Sequence, residues 1–494
     1  MDLHATLREY WGYDTFRPKQ QEIVESILAG QDVAVVMPTG GGKSLCYQMP
    51  AIASGRLCVV VSPLIALMQD QASQLAQLGV QAAVLNSSQE QEERKGVFRK
   101  LFRNELRLLY LSPERLAIES TVEWLSQCNP AYFAVDEAHC ISEWGHEFRP
   151  EYRQLPLLRD RFPDAPIAAF TASATRKVRH DILSQLKLRE PRTFITSFAR
   201  KNLNYLVRES SKKEKEKLLL RAIRHHKGES VIVYCPTIKL VEETAAMLND
   251  RGVSALHYHG KLDADKRRTH QEQWMNGEAD VMVGTIAFGL GINKPDVRAV
   301  IHLSLPKSPE QYYQEAGRAG RDGIAADCIL LWSRGDIGVL VSFIDKLEDK
   351  ANKDAAWQRY HAVKRFVEND SCRMRQICEY FGESPKSWST CGECDVCNGL
   401  PEWMQKDDQP ARRIIYDAGV SNAQLASMKS WRRDFAKKNH VLPYVILHDR
   451  TLTELLIRQP ATLDELMQVP GIGPQKARKY GEAILEALFG ALET

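Results

Sequence analysis

Short apolar runs alternate with longer amphipathic stretches through most of the chain. Between residues 30 and 175 the runs are rich in β-branched residues, and helical spacing of apolar positions separates them. A strand that is buried on both faces reads as a continuous apolar run, so this alternation predicts a doubly wound α/β lobe with a parallel sheet. The predicted strands of this lobe are 33–37, 57–61, 106–111, 132–135 and 167–170.

The same alternation resumes beyond a charged stretch at 210–217 and predicts a second α/β lobe. Its predicted strands are 231–234, 255–257, 281–283, 299–303 and 329–332. From about residue 336 helical spacing replaces the strand pattern and continues into a cluster of cysteines that ends at Cys397. The expected organisation is a first lobe at 1–207, a second lobe at 208–335, a helical metal-binding module at 336–400, a linker at 401–420 and a C-terminal helical domain at 421–494.

Composition and charge narrow the function only slightly. The chain has 494 residues, with 66 Lys and Arg against 63 Asp and Glu, so net charge alone gives no evidence for a nucleic-acid partner. The N-terminus has no basic segment followed by an apolar run, and no apolar run approaches membrane-spanning length. We therefore expect an intracellular protein with no signal peptide, transmembrane segment or membrane partner. Eleven cysteines in a reducing compartment do not indicate a disulfide framework, and the four that lie close together near residue 390 suggest a metal site.

A glycine-rich turn between an apolar run and a helix indicates a phosphate site. Gly40, Gly41 and Gly42 allow backbone N–H groups to approach phosphate oxygens closely. Lys43 would supply a positive charge for the β- and γ-phosphates, and the Ser44 hydroxyl is suited to Mg²⁺. The strict motif has glycine at position 37, where this chain has methionine. A merely flexible turn is the alternative.

A second phosphate-site element follows the predicted strand 132–135. That strand delivers Asp136 and Glu137 to its carboxyl end, where α/β proteins place ligands. Asp136 can hold magnesium through water, and Glu137 is placed to orient or deprotonate the attacking water. An isolated Asp-Glu pair is usually solvated surface, but two such elements in this order favour an ATP-hydrolysing site.

The sequence around these carboxylates resembles a known family. Asp-Glu-Ala-His at 136–139 is similar to the signature of superfamily 2 helicases, which does not by itself choose the substrate. The segment 140–152, Cys-Ile-Ser-Glu-Trp-Gly-His-Glu-Phe-Arg-Pro-Glu-Tyr, resembles the aromatic-rich loop of RecQ DNA helicases. This resemblance implies that both lobes are RecA-like and that the track is DNA.

The resemblance extends to the N-terminus and to the end of the first lobe. The segment 12–21 is similar to the RecQ adenine-recognition segment, which assigns base contacts to Tyr13, Arg17 and Gln20; helix packing is the alternative for Tyr13. The segment 171–175 resembles the one that couples nucleotide state to DNA grip, which implicates Thr171 and Ser173. A DNA sensor is also expected just after the carboxylates, comprising Trp144, His146, Phe148 and Arg149.

Two segments of the second lobe look like helicase elements that face the ATP cleft. They are 284–295 and 311–323, and the resemblance gives phosphate-contacting roles to Arg318 and Arg321. One of the two would act as an arginine finger across the interface between the lobes, and the sequence does not say which. A charge pair on an exposed helix is the alternative.

The cysteine cluster predicts a closed metal site. Cys391, Cys394 and Cys397 are spaced to converge on one ion, and tetrahedral zinc needs a fourth ligand. Cys372 opens a segment similar to the first-ligand segment of RecQ zinc modules, whereas Cys378 matches no ligand position. Four thiolates leave no position for water, so the expected role of Zn²⁺ is structural. An iron–sulfur cluster remains open, because cysteines alone do not identify the metal.

The C-terminal segment 421–494 resembles an HRDC domain, a helical module of RecQ helicases and RNase D. The similarity includes 441–446 and the glycine turn 469–473, which could offer N–H groups to a phosphate. Arg432, Arg433, Lys437 and Lys438 could add a basic patch, but such modules bind DNA, protein partners or neither. Only about two dozen residues separate Cys397 from this module, too few for the winged-helix domain that RecQ helicases usually carry there.

The expected function is an ATP-dependent helicase that moves 3′ to 5′ on single-stranded DNA and unwinds tailed or forked duplexes in recombination and repair. ATP, Mg²⁺ and Zn²⁺ are the expected cofactors. A monomer in the cytoplasm, associated with the nucleoid, is expected, with single-stranded-DNA-binding protein considered as a partner. One alternative is an ATP-driven translocase or strand-annealing remodeller with weak unwinding. Another is an ATP-gated DNA-binding module without turnover, against which Lys43, the paired carboxylates and Arg321 together argue. RNA is a less favoured track.

Overall fold

The structure is a computed structural model that describes residues 2–86, 89–145, 148–289, 294–405 and 420–492. Two compact units are distinguished. One comprises Met1–Ser197 with Arg458–Glu486, and the other comprises Phe198–Ile457 with Ala487–Thr494. Among the described residues, no helix combines the length and the apolar character needed to cross a membrane.

The first unit contains a seven-stranded sheet in which every pairing is parallel. The spatial order is β3-β4-β2-β5-β6-β1-β7. The strands are β1 (Val33–Val36), β2 (Cys58–Val61), β3 (Ala82–Leu85), β4 (Leu108–Leu111), β5 (Tyr132–Val135), β6 (Ile167–Thr171) and β7 (Arg192–Ile195). The five central strands are buried throughout, which explains their continuous apolar runs.

Helices connect these strands and bury one face against the sheet. Ile23, Tyr47, Met68 and Leu75, from three of the helices, join strand residues in one apolar core. The helices are α1 (Leu3–Trp11), α2 (Gln20–Leu28), α3 (Lys43–Ser54), α4 (Ile65–Gln77), α5 (Gln91–Phe102), α6 (Pro113–Leu116), α7 (Glu119–Cys128), α8 (Leu157–Arg161) and α9 (Arg176–Gln185), with 3-10 turns at Ala138–Ile141 and Pro150–Gln154.

The second unit contains a six-stranded sheet that is also parallel throughout. Its order is β10-β11-β9-β12-β13-β8. The strands are β8 (Leu203–Glu209), β9 (Ser230–Tyr234), β10 (Ala255–Tyr258), β11 (Val281–Gly284), β12 (Val297–His302) and β13 (Ala326–Trp332). The helices up to the linker are α10 (Lys212–His225), α11 (Ile238–Asp250), α12 (Ala264–Met275), α13 (Pro309–Ala316), α14 (Arg334–Asp345), α15 (Lys350–Glu368), α16 (Arg373–Tyr380), α17 (Asp395–Asn398) and α18 (Glu402–Gln405), with a 3-10 turn at Ile286–Gly289.

The C-terminal region is helical, as the sequence predicts. Ser421 and Gln424 form a capping box that starts its first helix. The helices are α19 (Asn422–Lys438), α20 (Pro443–Ile446), α21 (Asp449–Arg458), α22 (Leu463–Leu466) and α23 (Pro474–Leu492). Most of the predicted linker, residues 406–419, lies outside the described residues.

The predicted fold class, two parallel-sheet lobes followed by a small metal-binding module and a helical domain, is confirmed. All ten predicted strands are present, and three strands were not predicted. Two of these, β3 and β7, are sheet edges with partly exposed residues, so they lack a continuous apolar run. The third, β8, spans the predicted boundary between residues 207 and 208 and pairs with β13 in the second sheet. The charged stretch after β8 begins α10, where Ser211 and Glu214 form a capping box.

Candidate functional site

The parallel register of the first sheet brings three loops to one edge. Val36 lies opposite Thr171 in the pairing of β1 with β6, and Val135 lies opposite Ala169 in the pairing of β5 with β6. Because the carboxyl ends of parallel strands share an edge, the glycine-rich turn, the Asp-Glu pair and the end of β6 are neighbours. The sequence places its candidate catalytic groups on these three segments.

The glycine-rich turn has the backbone that its sequence requires. Gly40 and Gly42 adopt φ angles of 80° and 88°, in the left-handed region that favours glycine. A Cβ on Gly41 would lie 2.5 Å from the Cγ of Met37 and 2.9 Å from the carbonyl oxygen of Pro38. Met37, the departure from the strict motif, is 2% exposed and belongs to the apolar core. The methionine therefore packs beneath the turn and does not occupy its outer face.

Lys43 and Ser44 begin α3 directly after this turn. The Lys43 ammonium donates to the carbonyl oxygen of Met37 at 3.0 Å. Ser44 Oγ accepts a 2.8 Å hydrogen bond from the side-chain amide of Gln71 on α4. Gln71 in turn accepts from Tyr47 and from Gln48, so a buried polar network orients the serine hydroxyl. Gln71 is not predictable from the sequence, because its contact with Ser44 spans 27 residues.

The N-terminal segment is hydrogen-bonded to the glycine-rich turn. Gln20 is 3% exposed, and its side-chain oxygen accepts from the Arg17 backbone N–H at 2.9 Å. Its amide nitrogen donates to the carbonyls of Gly41 and Gly42 at 3.3 and 3.4 Å. Arg17 also donates to the Gly40 carbonyl at 2.5 Å, whereas Tyr13 is 38% exposed. The structure thus brings Arg17 and Gln20 to the turn and leaves the Tyr13 ring accessible.

Asp136 and Glu137 occupy the predicted position after β5. Asp136 is 5% exposed, and its backbone is held by hydrogen bonds to Val61 and from the Tyr152 hydroxyl. Glu137 has a φ of 47°, a left-handed conformation that re-aims its side chain. Burial and the neighbouring charge of Glu137 raise the pKa of Asp136 to about 7, although Lys43 opposes the shift. A divalent cation at this carboxylate would favour its charged form.

His139 links the carboxylates to the end of β6. Its ring is fully buried, and Nδ1 lies 3.3 Å from Glu137 Oε2 and 2.9 Å from Thr171 Oγ1. Thr171 Oγ1 also accepts from the Ser173 backbone N–H at 3.3 Å. The two predicted coupling residues are therefore connected to Glu137 through a histidine to which the sequence analysis gave no role.

The aromatic-rich loop packs directly against the catalytic segment. A Cβ on Gly145 would lie 2.6 Å from the carbonyl oxygen of His139, so the loop fits closely only with glycine there. Trp144 is half-buried, with the ammonium of Lys177 over its ring. Arg149 donates to the Pro63 carbonyl at 3.3 Å, and Phe148 lies beneath the guanidinium of Arg153. His146 lies outside the described residues.

Arg318 and Arg321 follow α13 in the second unit. A Cβ on Gly289 would lie 2.7 Å from Arg318 Nη2, so this glycine leaves room for the guanidinium. Burial raises the pKa of Tyr234 to about 12, and the charges of both arginines oppose this shift. The two guanidinium groups therefore act on the carboxyl end of β9. They lie in a different unit from Lys43 and Asp136.

Four cysteine thiols converge in the second unit. Their Sγ atoms, from Cys372, Cys391, Cys394 and Cys397, lie within 4.8 Å of one another. A hydrogen bond from Cys391 lowers the pKa of Cys394, which favours a thiolate there. Cys378 is buried, and burial raises the pKa of its thiol; it is not part of this group. Four thiols at this spacing fit a tetrahedral zinc ion.

A buried ion pair braces the cysteine group. Arg373, directly after Cys372, donates to Asp395 at 2.9 Å, and both side chains are less than a tenth exposed. Arg373 also donates to the Asn369 carbonyl at 2.8 Å. Asp395 follows Cys394, so the pair ties the first cysteine to the later three.

The C-terminal glycine turn is engaged by the protein itself. The Gly471 N–H donates to the Gly12 carbonyl at 3.0 Å. A Cβ on Gly473 would lie 2.6 Å from the Arg8 carbonyl oxygen. Arg432, a member of the predicted basic patch, is 6% exposed and pairs with Asp449 at 2.8 Å. These groups are therefore committed to internal contacts, whereas Lys437 and Lys438 are exposed.

Models of four protein families match successive parts of the chain. A DEAD/DEAH box helicase model matches residues 17–181, and a model of the helicase conserved C-terminal domain matches 214–323. A RecQ zinc-binding model matches 334–398, and an HRDC domain model matches 421–488. The interval 399–420 between the last two matches is too short for a winged-helix domain.

Curated relatives match nearly the whole chain. The ATP-dependent DNA helicase RecQ of Pasteurella multocida is 39% identical over 99% of this chain and 73% of its own length. That of Bacillus subtilis is 32% identical over 98% of each chain. A solved structure of Mss116p bound to ssRNA and AMP-PNP has a TM-score of 0.55 at 15% identity, covering 75% of this chain and 86% of that one. The likeness to this solved structure shows the fold alone. The family models and the curated relatives together show that the chain belongs to the RecQ family of ATP-dependent DNA helicases.

Proposed function

We propose that the protein hydrolyses ATP to move 3′ to 5′ along single-stranded DNA and to unwind tailed or forked duplexes in recombination and repair. The observation that carries the proposal is the series of charge interactions and contacts that runs from the glycine-rich turn to the aromatic-rich loop. The charge of Lys43 lowers the pKa of Asp136 against the effect of burial. His139 lies within 3.3 Å of Glu137 and 2.9 Å of Thr171. Gly145 allows the loop to pack closely on the His139 carbonyl. A nucleotide-dependent movement at one end would therefore be transmitted to the other.

The proposed nucleotide site divides its roles among these residues. Tyr13, Arg17 and Gln20 bind the adenine end, and the backbone N–H groups of Gly40, Gly41 and Gly42 hold phosphate oxygens. Lys43 releases the Met37 carbonyl, to which it now donates, and contacts the β- and γ-phosphates. Glu137 orients the attacking water and accepts its proton.

Ser44 and Asp136 are the residues that would hold Mg²⁺. Both are oxygen donors, and both lie at the sheet edge defined above; the Gln71 amide fixes the serine hydroxyl. Magnesium bound there would neutralise charge on the phosphate oxygens. Arg318 or Arg321 would approach the same phosphates from the second lobe as an arginine finger, so that hydrolysis requires the lobes to close.

We propose that the aromatic-rich loop senses DNA. Trp144 can exchange its contact with Lys177 for stacking on an unpaired base, and Arg149 and Lys177 can contact phosphates. His146, Phe148 and Ser173 complete this proposed coupling region. Trp144→Ala should weaken stimulation of ATP hydrolysis by single-stranded DNA while leaving basal hydrolysis largely intact; unchanged stimulation would contradict the assignment. Trp124→Ala, a substitution outside this loop, is the control.

The remaining proposals concern the modules and the state of the protein. The four cysteines hold a structural Zn²⁺, and anaerobic purification with metal analysis and an absorption spectrum separates zinc from an iron–sulfur cluster. The exposed lysines of α19 give the C-terminal domain an accessory DNA contact, with a protein contact as the alternative. We expect a monomer that acts on DNA in the cytoplasm and meets single-stranded-DNA-binding protein there.

Strand displacement on 3′-tailed and 5′-tailed duplexes tests the proposed activity. We expect displacement of the 3′-tailed substrate only, with ATP and Mg²⁺ required. Lys43→Ala should abolish phosphate release, and substantial remaining hydrolysis would overturn the site. DNA-stimulated hydrolysis without displaced strand would favour the second candidate, a translocase or annealing remodeller. The observation that favours this candidate is the interval 399–420, which is too short to hold a winged-helix domain.

A further inference from the structure

The loop that carries Arg321 is held by the aspartate that follows it. Both carboxylate oxygens of Asp322 accept hydrogen bonds from Arg298 Nη2, each at 2.7 Å. The Asp322 side chain is 1% exposed and the Arg298 side chain is 4% exposed. The same carboxylate accepts from the Ile324 N–H at 3.1 Å, and the Asp322 N–H donates to the Pro295 carbonyl. Position 322 is therefore fixed by a buried carboxylate that accepts several hydrogen bonds.

The loop also needs such fixing, because glycines flank the arginine and the aspartate. Gly320 and Gly323 adopt φ angles of 54° and 87°. Glycine loses more conformational entropy on ordering than any other residue, so a loop of this composition does not hold one geometry by itself. An arginine that must meet a developing charge at a set distance benefits from support by its neighbours.

The C-terminal helices of the same unit supply an aspartate to this network. Asp449, the first residue of α21, is 4% exposed and forms ion pairs with Lys429 and Arg432 at 2.9 and 2.8 Å. Burial lowers the pKa of Arg298, but Asp322, Asp449 and Asp296 together produce a net increase. The charges of Asp449 and Arg298 therefore act on one another within a buried cluster, where screening by water is weak.

Two further basic side chains of the C-terminal helices lie close to glycines of the second lobe. Arg450 Nη1 lies 4.0 Å from the position that a Cβ on Gly323 would take. Arg433 Nε lies 3.7 Å from the corresponding position on Gly277, and its charge lowers the pKa of Asp280 against the effect of burial. Side chains of α19 and α21 thus lie close to the second lobe at two places, one of them beside Gly323, the residue after Asp322.

We propose that Asp449 and Arg450 are positioning residues for Arg321, so that the C-terminal helices hold the arginine-bearing loop in its hydrolysis-competent geometry. Asp449 acts through Arg298 and Asp322, and Arg450 acts at Gly323. This role goes beyond accessory DNA binding by the C-terminal domain. It rests on the proposed function of Arg321 as a phosphate-contacting residue.

The test uses the full chain with Asp449→Asn, which removes one charge and keeps the side-chain shape. The readouts are kcat and KM for ATP at saturating single-stranded DNA, and the affinities for ADP and for ADP with aluminium fluoride, a mimic of the transferring phosphoryl group. We expect kcat and mimic affinity to fall about fivefold, with KM for ATP and ADP affinity little changed. Asp434→Asn, an exposed aspartate on α19, is the matched control and should change none of them.

The same measurements in an Arg321→Ala background separate positioning from general destabilisation. If Asp449 acts through Arg321, its substitution should cause no further loss of mimic affinity there. An equal further loss, or unchanged mimic affinity in the Asp449→Asn and Arg450→Ala proteins, would overturn the proposal. Arg450→Ala, an exposed site, carries the test if Asp449→Asn lowers the thermal unfolding temperature. Full activity of Arg321→Ala alone would instead overturn the underlying assignment of Arg321.

Discussion

His139 Nδ1 and Thr171 Oγ1 lie 2.9 Å apart, and both side chains are almost completely buried. The same imidazole nitrogen faces Glu137 at 3.3 Å. One ring thus lies between the proposed water-activating carboxylate, which follows β5, and the end of the neighbouring strand β6. A change in the position of Glu137 on nucleotide turnover would therefore alter the contact between His139 and Thr171.

Replacing Thr171 with valine should reduce unwinding more than hydrolysis. Valine keeps the branched shape but removes the hydroxyl, at a cost of about 1 kcal/mol for the lost hydrogen bond, or about fivefold in the coupled step. The measurement is the number of base pairs separated per ATP hydrolysed on a 3′-tailed duplex. Thr193→Val, on the exposed face of β7, is the control and should leave this ratio unchanged. Equal losses in unwinding and hydrolysis would contradict a coupling role.

The sequence was sufficient for the central strands and the loops at their ends, because a parallel sheet imposes continuous apolar runs. It was insufficient where structure depends on distant partners. The partly exposed edge strands β3 and β7 lack that run, and β8 mixes polar with apolar residues next to a charged stretch. Residue order also gives no indication that β8 pairs with β13.

The site shows the same limit. The candidate phosphate-site residues lie in short motifs and could be named, whereas Gln71 reaches Ser44 from another helix, and no motif indicates that contact. His139 stood within the Asp-Glu-Ala-His tetrad, but its role depends on a contact with Thr171, 32 residues away. Met37 is a departure from the motif whose explanation is packing beneath Gly41. Pairwise contacts of this kind require the fold.

Introducing alanine at Gly473 should disturb nucleotide binding from the C-terminal region. The new Cβ would lie 2.6 Å from the Arg8 carbonyl, so α1 or the turn must shift, at a cost of about 1–3 kcal/mol. Because α1 ends just before Tyr13 and Arg17, we expect KM for ATP to rise several-fold with a smaller change in kcat. Gly96→Ala in α5 has open space around its Cβ and should leave KM unchanged. An unchanged KM in Gly473→Ala would show that the turn does not support the adenine-recognition segment.

A buried imidazole should make the stability of the second unit depend on pH. His226 Nδ1 and Nε2 lie 2.7 Å and 3.0 Å from Glu229 and Asp327. Burial lowers the pKa of His226, but these carboxylates more than compensate, so its net pKa is raised. A folded pKa above the unfolded value gives stability that is fully present below about pH 6.5 and is lost as pH rises through the folded pKa.

The measurement is the difference in unfolding free energy between the wild type and His226→Gln across this range. The difference should be largest at low pH and should shrink as pH rises; a pKa difference of one between the folded and unfolded protein corresponds to about 1.4 kcal/mol. His361→Gln, on an exposed face of α15, should show no such trend. A difference that grows with pH would mean that His226 is buried as the neutral ring.

Two cysteines of one short segment should differ completely in their effect on metal content. Cys372 lies in the four-thiol group, whereas Cys378, six residues further on, is buried outside it. Cys372→Ser removes a ligand from a closed tetrahedral site, so purified protein should lose its zinc and unfold at lower temperature. Cys378→Ser should keep one zinc per chain, although a buried hydroxyl costs about 1–3 kcal/mol of stability. Because both variants lose stability, metal content is the measurement that distinguishes them. Zinc retained by Cys372→Ser, or lost by Cys378→Ser, would mean that the fourth ligand is a different residue. Iron and visible absorption in the wild type, both lost in Cys372→Ser, would mean that the site holds an iron–sulfur cluster and not zinc.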